Sequence, residues 1–565
     1  MSGTNVLQVA LAGPVLAGLA WLCLALWPVA RRIVGGILAL AAHAAAWGVL
    51  GLAYRGDEVV WRSFDPGLLG ATIVVVVELT LVLAAIRAER LAGGGNAAAI
   101  GGLAISASAI AAIAYAGSLA VVALALPLPT VAAAGAALSG RGRGDARGLI
   151  GLAAADAVAL IGLSLVYART GSIVIGEAGG FGPALLLISA LLKAGAIPFI
   201  ATWWLAATEG PGAWLDGALR GQAIALCALA GLTMRSSAPA SALAIAASVA
   251  VLLGGAAALM SRDRDGSVAA ACGAAAGIPF LAIGLGGAVG SRAFLLVFPA
   301  FLLAAAVVTL LGRGDPPQDG AAAPRKPAPA DGWGWVGACA LGVGLASLLG
   351  LPPGGGFPGT WLGISLAAAR SEGSAGWLLV AGAAVVGLAM AMIASVGLIR
   401  AARARVVPAL LGSAAGLGLL YLGTQPIRLG LGWWVRVETA LRLPEVLPAA
   451  GAPGLPAIGG QRLVLALAPA LVLVAVVLGL GRGVRDLPVE FAPSVAPADR
   501  KAKGAAMERL RTLVAPLVSA SRPATELVTR ARVLGVGFGI AAVLELGALL
   551  LAGRIVLLSA RAGFL

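Results

Sequence analysis

The sequence predicts an all-α polytopic membrane protein of about sixteen transmembrane helices, and three observations carry that prediction. Of 565 residues, 60% are hydrophobic and only 11% charged, with a mean hydropathy of +1.00. A soluble domain is about half apolar and about a quarter charged. Apolar stretches long enough to cross a bilayer, about 20 residues each, follow one another with little between them. These stretches are also apolar all round, whereas barrel strands would alternate over segments of about ten residues.

Taken in order, the spans cover roughly 5–30, 33–53, 67–87, 97–115, 117–138, 147–168, 182–207, 213–234, 238–260, 266–289, 291–312, 333–369 (interrupted), 376–400, 406–424, 461–481 and 533–559. Pro127 and Pro129 interrupt the fifth. The 82 glycines and abundant alanine suit close helix packing, because small side chains let backbones approach. The first charged residue is Arg31, so the start lacks the basic region of a signal peptide and reads as a retained first helix.

A net charge of +15 raises the question of nucleic acid, but the basic residues form no patch interleaved with stacking aromatics. They sit in short loops. The odd-numbered connections carry fifteen Arg or Lys and the short even-numbered ones six, which places the odd loops in the cytoplasm and both termini outside a bacterial inner membrane. Residues 314–332 are rich in Pro and Ala and read as a flexible cytoplasmic linker. In 483–532, Leu510, Leu513, Val514, Leu517 and Val518 recur at helical spacing among charges. That pattern reads either as an amphipathic helix on the cytoplasmic surface over 500–532 or as a membrane-hugging linker.

Metal and redox chemistry find no foothold. Cys23, Cys227, Cys272 and Cys339 are isolated, no pair has zinc or iron–sulfur spacing, and the single histidine, His43, cannot build a haem pair. No GxGxxG follows a strand. The expectation is a chain with no catalytic chemistry, metal or cofactor of its own.

The stretch that stands out is Ser189-Ala-Leu-Leu-Lys193-Ala-Gly-Ala-Ile-Pro198-Phe199, with one lysine inside an apolar run and a proline five residues on. A charge at bilayer depth costs about 2.5–3.5 kcal/mol on insertion scales unless a partner or water receives it. Proline breaks the helix, and irregular backbone at that depth is tolerated only inside protein or along a cavity. A lysine beside a broken helix is therefore an ion-path candidate, with a structural lysine as the alternative. The stretch is echoed by Ser347-Leu-Leu-Gly-Leu-Pro352-Pro353-Gly-Gly-Gly356-Phe357, and Thr202-Trp203-Trp204 and Thr360-Trp361 continue the two. Paired interrupted segments point to two inverted five-helix repeats, 97–234 and 238–400. They lie between N-terminal spans at 1–96 and additional spans at 401–482, followed by the surface segment 483–532 and a final span in 533–565.

Leu192-Lys193-Ala-Gly-Ala-Ile-Pro198-Phe199, with Thr202-Trp203 and Glu209-Gly210-Pro211, resembles the signature of the antiporter-like subunits. These occur in respiratory complex I, Mrp-type antiporters, group 4 membrane-bound hydrogenases and related inorganic-carbon uptake systems. Tyr167-Ala-Arg-Thr-Gly171-Ser172 is similar to the loop after the family's sixth helix, and Asp263 with Ala269 and Gly277 to its ninth-to-tenth connection. Gly350-Leu351-Pro352-Pro353 with Gly356-Phe357 is similar to its broken twelfth helix. The resemblance implies a relay of buried ionisable groups joining two half-channels. Lys193 matches the lysine of the broken seventh helix, and Asp156 falls where the sixth carries an acid.

Other family charges are missing. The fifth-helix glutamate has no counterpart in Val121–Pro129, the eighth-helix cation falls near Ala225 with Arg220 the nearest, the eleventh helix has no lysine, and Thr360 stands where the twelfth has a charge. Glu78, mid-span in the third segment, is a replacement partner for Lys193, or else it pairs with Arg87. Glu209, Asp216 and Arg220 read as loop or mouth charges, and Glu545 as locally paired. The second repeat is expected to hold essentially no buried ionisable group.

What the resemblance implies is a membrane-arm subunit of a complex I-like or hydrogenase-like assembly that moves H+ (or Na+) through the first repeat. Redox cofactors would then sit on partner subunits, such as those of an NADH:quinone oxidoreductase. Partners would be other membrane subunits, met through 500–532 and helix faces, and the lipid bilayer. The alternatives are a non-conducting scaffold, or a membrane subunit energising a soluble partner for inorganic-carbon uptake.

Overall fold

The computed structural model describes residues 3–24, 27–57, 59–61, 64–91, 97–139, 146–172, 174–175, 180–195, 212–233, 237–260, 264–312, 332–351, 354–369, 375–400 and 412–418. Among them the chain is all-α. Apart from a short helical turn at 412–418, fifteen helices follow one another. They are α1 (Gly3–Cys23), α2 (Pro28–Arg55), α3 (Leu68–Leu91), α4 (Ala97–Ala114) and α5 (Leu119–Ala125). Next come α6 (Leu128–Ser139), α7 (Ala146–Thr170), α8 (Phe181–Lys193), α9 (Gly212–Thr233) and α10 (Ser237–Met260). The last are α11 (Arg264–Leu285), α12 (Gly287–Gly312), α13 (Gly332–Leu348), α14 (Phe357–Ala369) and α15 (Ala375–Arg400).

Six of these are long and apolar enough to cross a membrane: Gly3–Cys23, Val29–Arg55, Ile150–Thr170, Ser241–Leu259, Gly266–Leu285 and Ala293–Gly312. The chain is a multi-pass membrane protein.

Local chemistry sets the helix ends. Pro28 opens α2, where its missing N–H costs nothing and its fixed φ suits a first turn. Gly56 closes it in the left-handed region (φ 82°), with its N–H on Ala53 O and the Asp57 N–H on Leu52 O. Small residues set the packing. A Cβ on Gly13 would lie 2.7 Å from the Ala42 Cβ, and one on Gly255 would lie 2.0 Å from the Gly387 carbonyl oxygen. The α1–α2 and α10–α15 contacts therefore run backbone against backbone, as expected where no hydrophobic force separates helix from lipid.

The fifth predicted span is two helices, α5 and α6, parted at Leu126-Pro127. Neither Pro127 nor Pro129 has an N–H to continue the ladder. The seventh span breaks earlier than expected. α8 ends at Lys193, five residues before Pro198, because Gly195 turns left-handed (φ 64°) and bonds back to Leu192 O at 3.2 Å. Pro198 lies outside the described residues.

The interruption expected within 333–369 falls between α13 and α14. Gly350 (φ 68°) closes α13, and the Gly356 N–H donates to Ser347 Oγ at 3.0 Å. Pro352 and Pro353 lie outside the described residues, as do the spans expected at 461–481 and 533–559 and the segment 500–532.

Candidate functional site at the α5–α6 break

Asp156 sits midway along α7, and Lys193 closes α8, where helix-end carbonyls favour a cation. Their side chains meet as an ion pair in which both are 0% exposed. The ammonium has three donors and finds three acceptors: Asp156 Oδ1, the Leu126 carbonyl at 3.2 Å and Gln222 Oε1 at 2.8 Å. Gln222, on α9, in turn donates through Nε2 to the Leu126 carbonyl at 2.7 Å. The Thr130 hydroxyl, on α6, donates to Asp156 Oδ2 at 2.5 Å.

The broken helix makes this possible. At Leu126-Pro127 the α5 ladder stops, and the Leu126 carbonyl takes two side-chain donors in place of a backbone one. The site thus joins four packed segments through one buried charge pair and its neutral acceptors. Such a cluster can hold a positive charge at bilayer depth, and moving either partner exposes that charge to an apolar surround.

The expected site residues separate into three groups. Lys193 and Asp156 come together. Glu78 is buried at 1% exposed but is not the partner of Lys193, and neither of its carboxylate oxygens has a hydrogen-bond partner among the described residues. The Arg87 side chain and Glu209 lie outside the described residues.

Arg220 departs from the reading as a mouth charge. It is 1% exposed within α9, and its Nη2 donates to the Ala269 carbonyl of α11 at 3.2 Å. Two residues apart on a helix, Arg220 and Gln222 project to different sides of α9, one toward α11 and the other toward Lys193.

Gln222, Thr130 and the Leu126 carbonyl were not foreseen. In the second half, Thr360 is fully buried with no partner for its hydroxyl among the described residues, and Trp361 Nε1 donates to the Gly350 carbonyl at 2.6 Å. The charged side chains of 238–400 all lie outside the described ones.

This architecture is shared with chains of several solved membrane complexes. A chain of the Mrp complex from a Dietzia species matches it with a TM-score of 0.68 at 16% identity, over 98% of this chain and 63% of that one. This chain thus spans under two thirds of that Mrp chain's length. A chain of the membrane-bound sulfane sulfur reductase, an archaeal respiratory membrane complex, matches at 0.60 and 17% identity, over 93% of this chain and 96% of that one. A chain of respiratory complex I from Thermus thermophilus matches at 0.58 and 17% identity, over 77% of this chain and 99% of that one. At these identities the likeness defines a fold. No protein-family model matches the sequence, and no curated protein matches it.

Proposed function

We propose that the chain is a membrane-arm subunit of a complex I-like or hydrogenase-like assembly and moves H+ (or Na+) through its first repeat, 97–234. The wholly buried Lys193–Asp156 pair carries this reading. While the pair is closed, the ammonium keeps its proton and three acceptors hold it. If Asp156 moves away, a lone buried ammonium is left, and losing its proton to a neighbouring water removes that cost. Asp156 then does the work of the family's fifth-helix glutamate, with Thr130 orienting it from the α6 side of the break.

The wider organisation belongs to the same proposal. It comprises about sixteen spans in a bacterial inner membrane with both termini outside, and inverted repeats at 97–234 and 238–400. The segment 500–532 meets partner subunits, which would carry the redox cofactors. Glu209 and Arg220 would flank the path, with Arg220 as a fixed charge, since a guanidinium does not give up its proton.

The test is Lys193→Ala in the intact assembly, followed by ion movement in sealed vesicles. Loss of movement with normal subunit composition is expected; undiminished movement would overturn the reading.

One observation favours a second reading, a non-conducting scaffold: the eleventh predicted span has no lysine, and Thr360 stands where the resemblance expects a charge in the twelfth. In that case Lys193→Ala is silent and removal of 498–565 breaks the complex. Co-purification from native membranes separates both from a third arrangement, in which the chain energises a soluble inorganic-carbon partner.

A further inference from the structure

Glu78 lies outside the Lys193 cluster, and the proposed relay does not use it. It sits midway along α3, and both of its carboxylate oxygens lack a hydrogen-bond partner among the described residues. Tyr115, directly after α4, is fully buried, and its hydroxyl has no partner among the described residues either. Tyr115 packs in one cluster with Val74 and Val75 of α3. Glu78 stands one helical turn beyond Val74 and Val75, on the face of α3 that packs against Leu7, Ala46 and Ala111.

We propose that Glu78, one turn beyond the valines that Tyr115 packs with, is a separate proton-binding site inside the α1–α4 bundle. It holds H+ as the neutral carboxylic acid and gives it up when water reaches the pair. An ionised carboxylate with neither a cation nor a donor is the most costly occupant of such a place, and a neutral acid the least. Protonation turns one oxygen into a donor, and the Tyr115 hydroxyl is an acceptor that entering water can connect to it. A residue needed for packing alone would have no reason to ionise.

No cation competes for Glu78 among the described side chains. From α2, His43 takes the Trp47 Nε1–H on its own Nε2. From α9, Arg220 donates to Ala269. Along α4 no titratable side chain is present, and on α12 the one charged residue, Arg292, has its side chain outside the described ones. Lys193 is held by Asp156, Leu126 and Gln222. The Glu78 site therefore does not depend on whether the Lys193 relay conducts.

The test is infrared difference spectroscopy on the purified full-length assembly in liposomes as pH is raised. The wild type should show a carboxylic C=O band that fades on alkalinisation, is absent in Glu78→Gln, persists in Asp156→Asn and shifts in Tyr115→Phe. A band unaffected by Glu78→Gln, or by pH, would overturn the proposal.

A second measurement needs no variant. Dicyclohexylcarbodiimide adds to buried protonated carboxyls, so mass spectrometry should find its adduct on Glu78 at acid pH and not at alkaline pH. Suppression of that adduct by Na+ at fixed pH would assign the site to a metal cation instead, and the proton site would be wrong.

Discussion

Lys193 on α8 and Asp156 on α7 form an ion pair from which both side chains are fully excluded from the surface. Such a pair adds little net stability, because desolvation offsets attraction, but losing one partner costs about 3–5 kcal/mol. Lys193→Met and Asp156→Asn should each lower the thermal unfolding midpoint in detergent. The double variant should recover most of the loss, since no lone charge remains. Strictly additive losses would show that the two residues are not coupled.

Gln222 contributes two interhelical hydrogen bonds, one received from Lys193 and one given to the Leu126 carbonyl. Such bonds in membranes average about 0.6 kcal/mol and reach about 1.7. Gln222→Leu should therefore cost about 1–3 kcal/mol, clearly less than breaking the ion pair. A loss as large as that of Asp156→Asn would mean that Gln222, and not Asp156, anchors the lysine.

What the sequence disclosed follows from which signals are intrinsically loud. A lysine in an apolar run announces itself, and so does an acid such as Asp156, because each is costly where it stands. Gln222 and Thr130 carry no charge, and the Leu126 carbonyl belongs to a backbone group that every residue has. The nearest warning was Pro127 and Pro129, which remove two N–H donors and so disturb the ladder around Leu126. The early end of α8 was hidden for a similar reason. Gly195 is one of 82 glycines, and only its positive φ distinguishes it from those that merely let helices touch. Arg220 looked peripheral because it lies near the start of a span. Its partner, a backbone carbonyl on α11, has no sequence signature.

The break between α5 and α6 can be tested by healing it. Pro127→Ala with Pro129→Ala restores two N–H donors and removes the ring clash. A continuous helix would bring the Thr130 N–H to the Leu126 carbonyl and withdraw that oxygen from Lys193 and Gln222. We expect ion movement to fall while the unfolding midpoint holds or rises. Unchanged movement in the healed variant would show that the interrupted backbone is not part of the path.

The second break is held by shape. Gly350 has φ 68°, and a Cβ there would lie 2.5 Å from Thr360 Cγ2. Gly350→Ala meets both problems at once, with about 1–3 kcal/mol for the backbone alone. Thr360→Ser removes the nearest of three close atoms but leaves Cβ at 2.7 Å and Oγ1 at 2.9 Å, so Gly350→Ala/Thr360→Ser should recover only part of the steric share of the loss and leave the backbone share. Gly36 in α2 is the control: nothing lies within 4 Å of a Cβ there, and Gly36→Ala should be neutral or slightly stabilising. Unfolding midpoints of the four variants check the order. If Gly350→Ala is as benign as Gly36→Ala, the turn closing α13 does not depend on glycine, and the break must be fixed by the Trp361 bond to the Gly350 carbonyl and the Ser347 bond to Gly356.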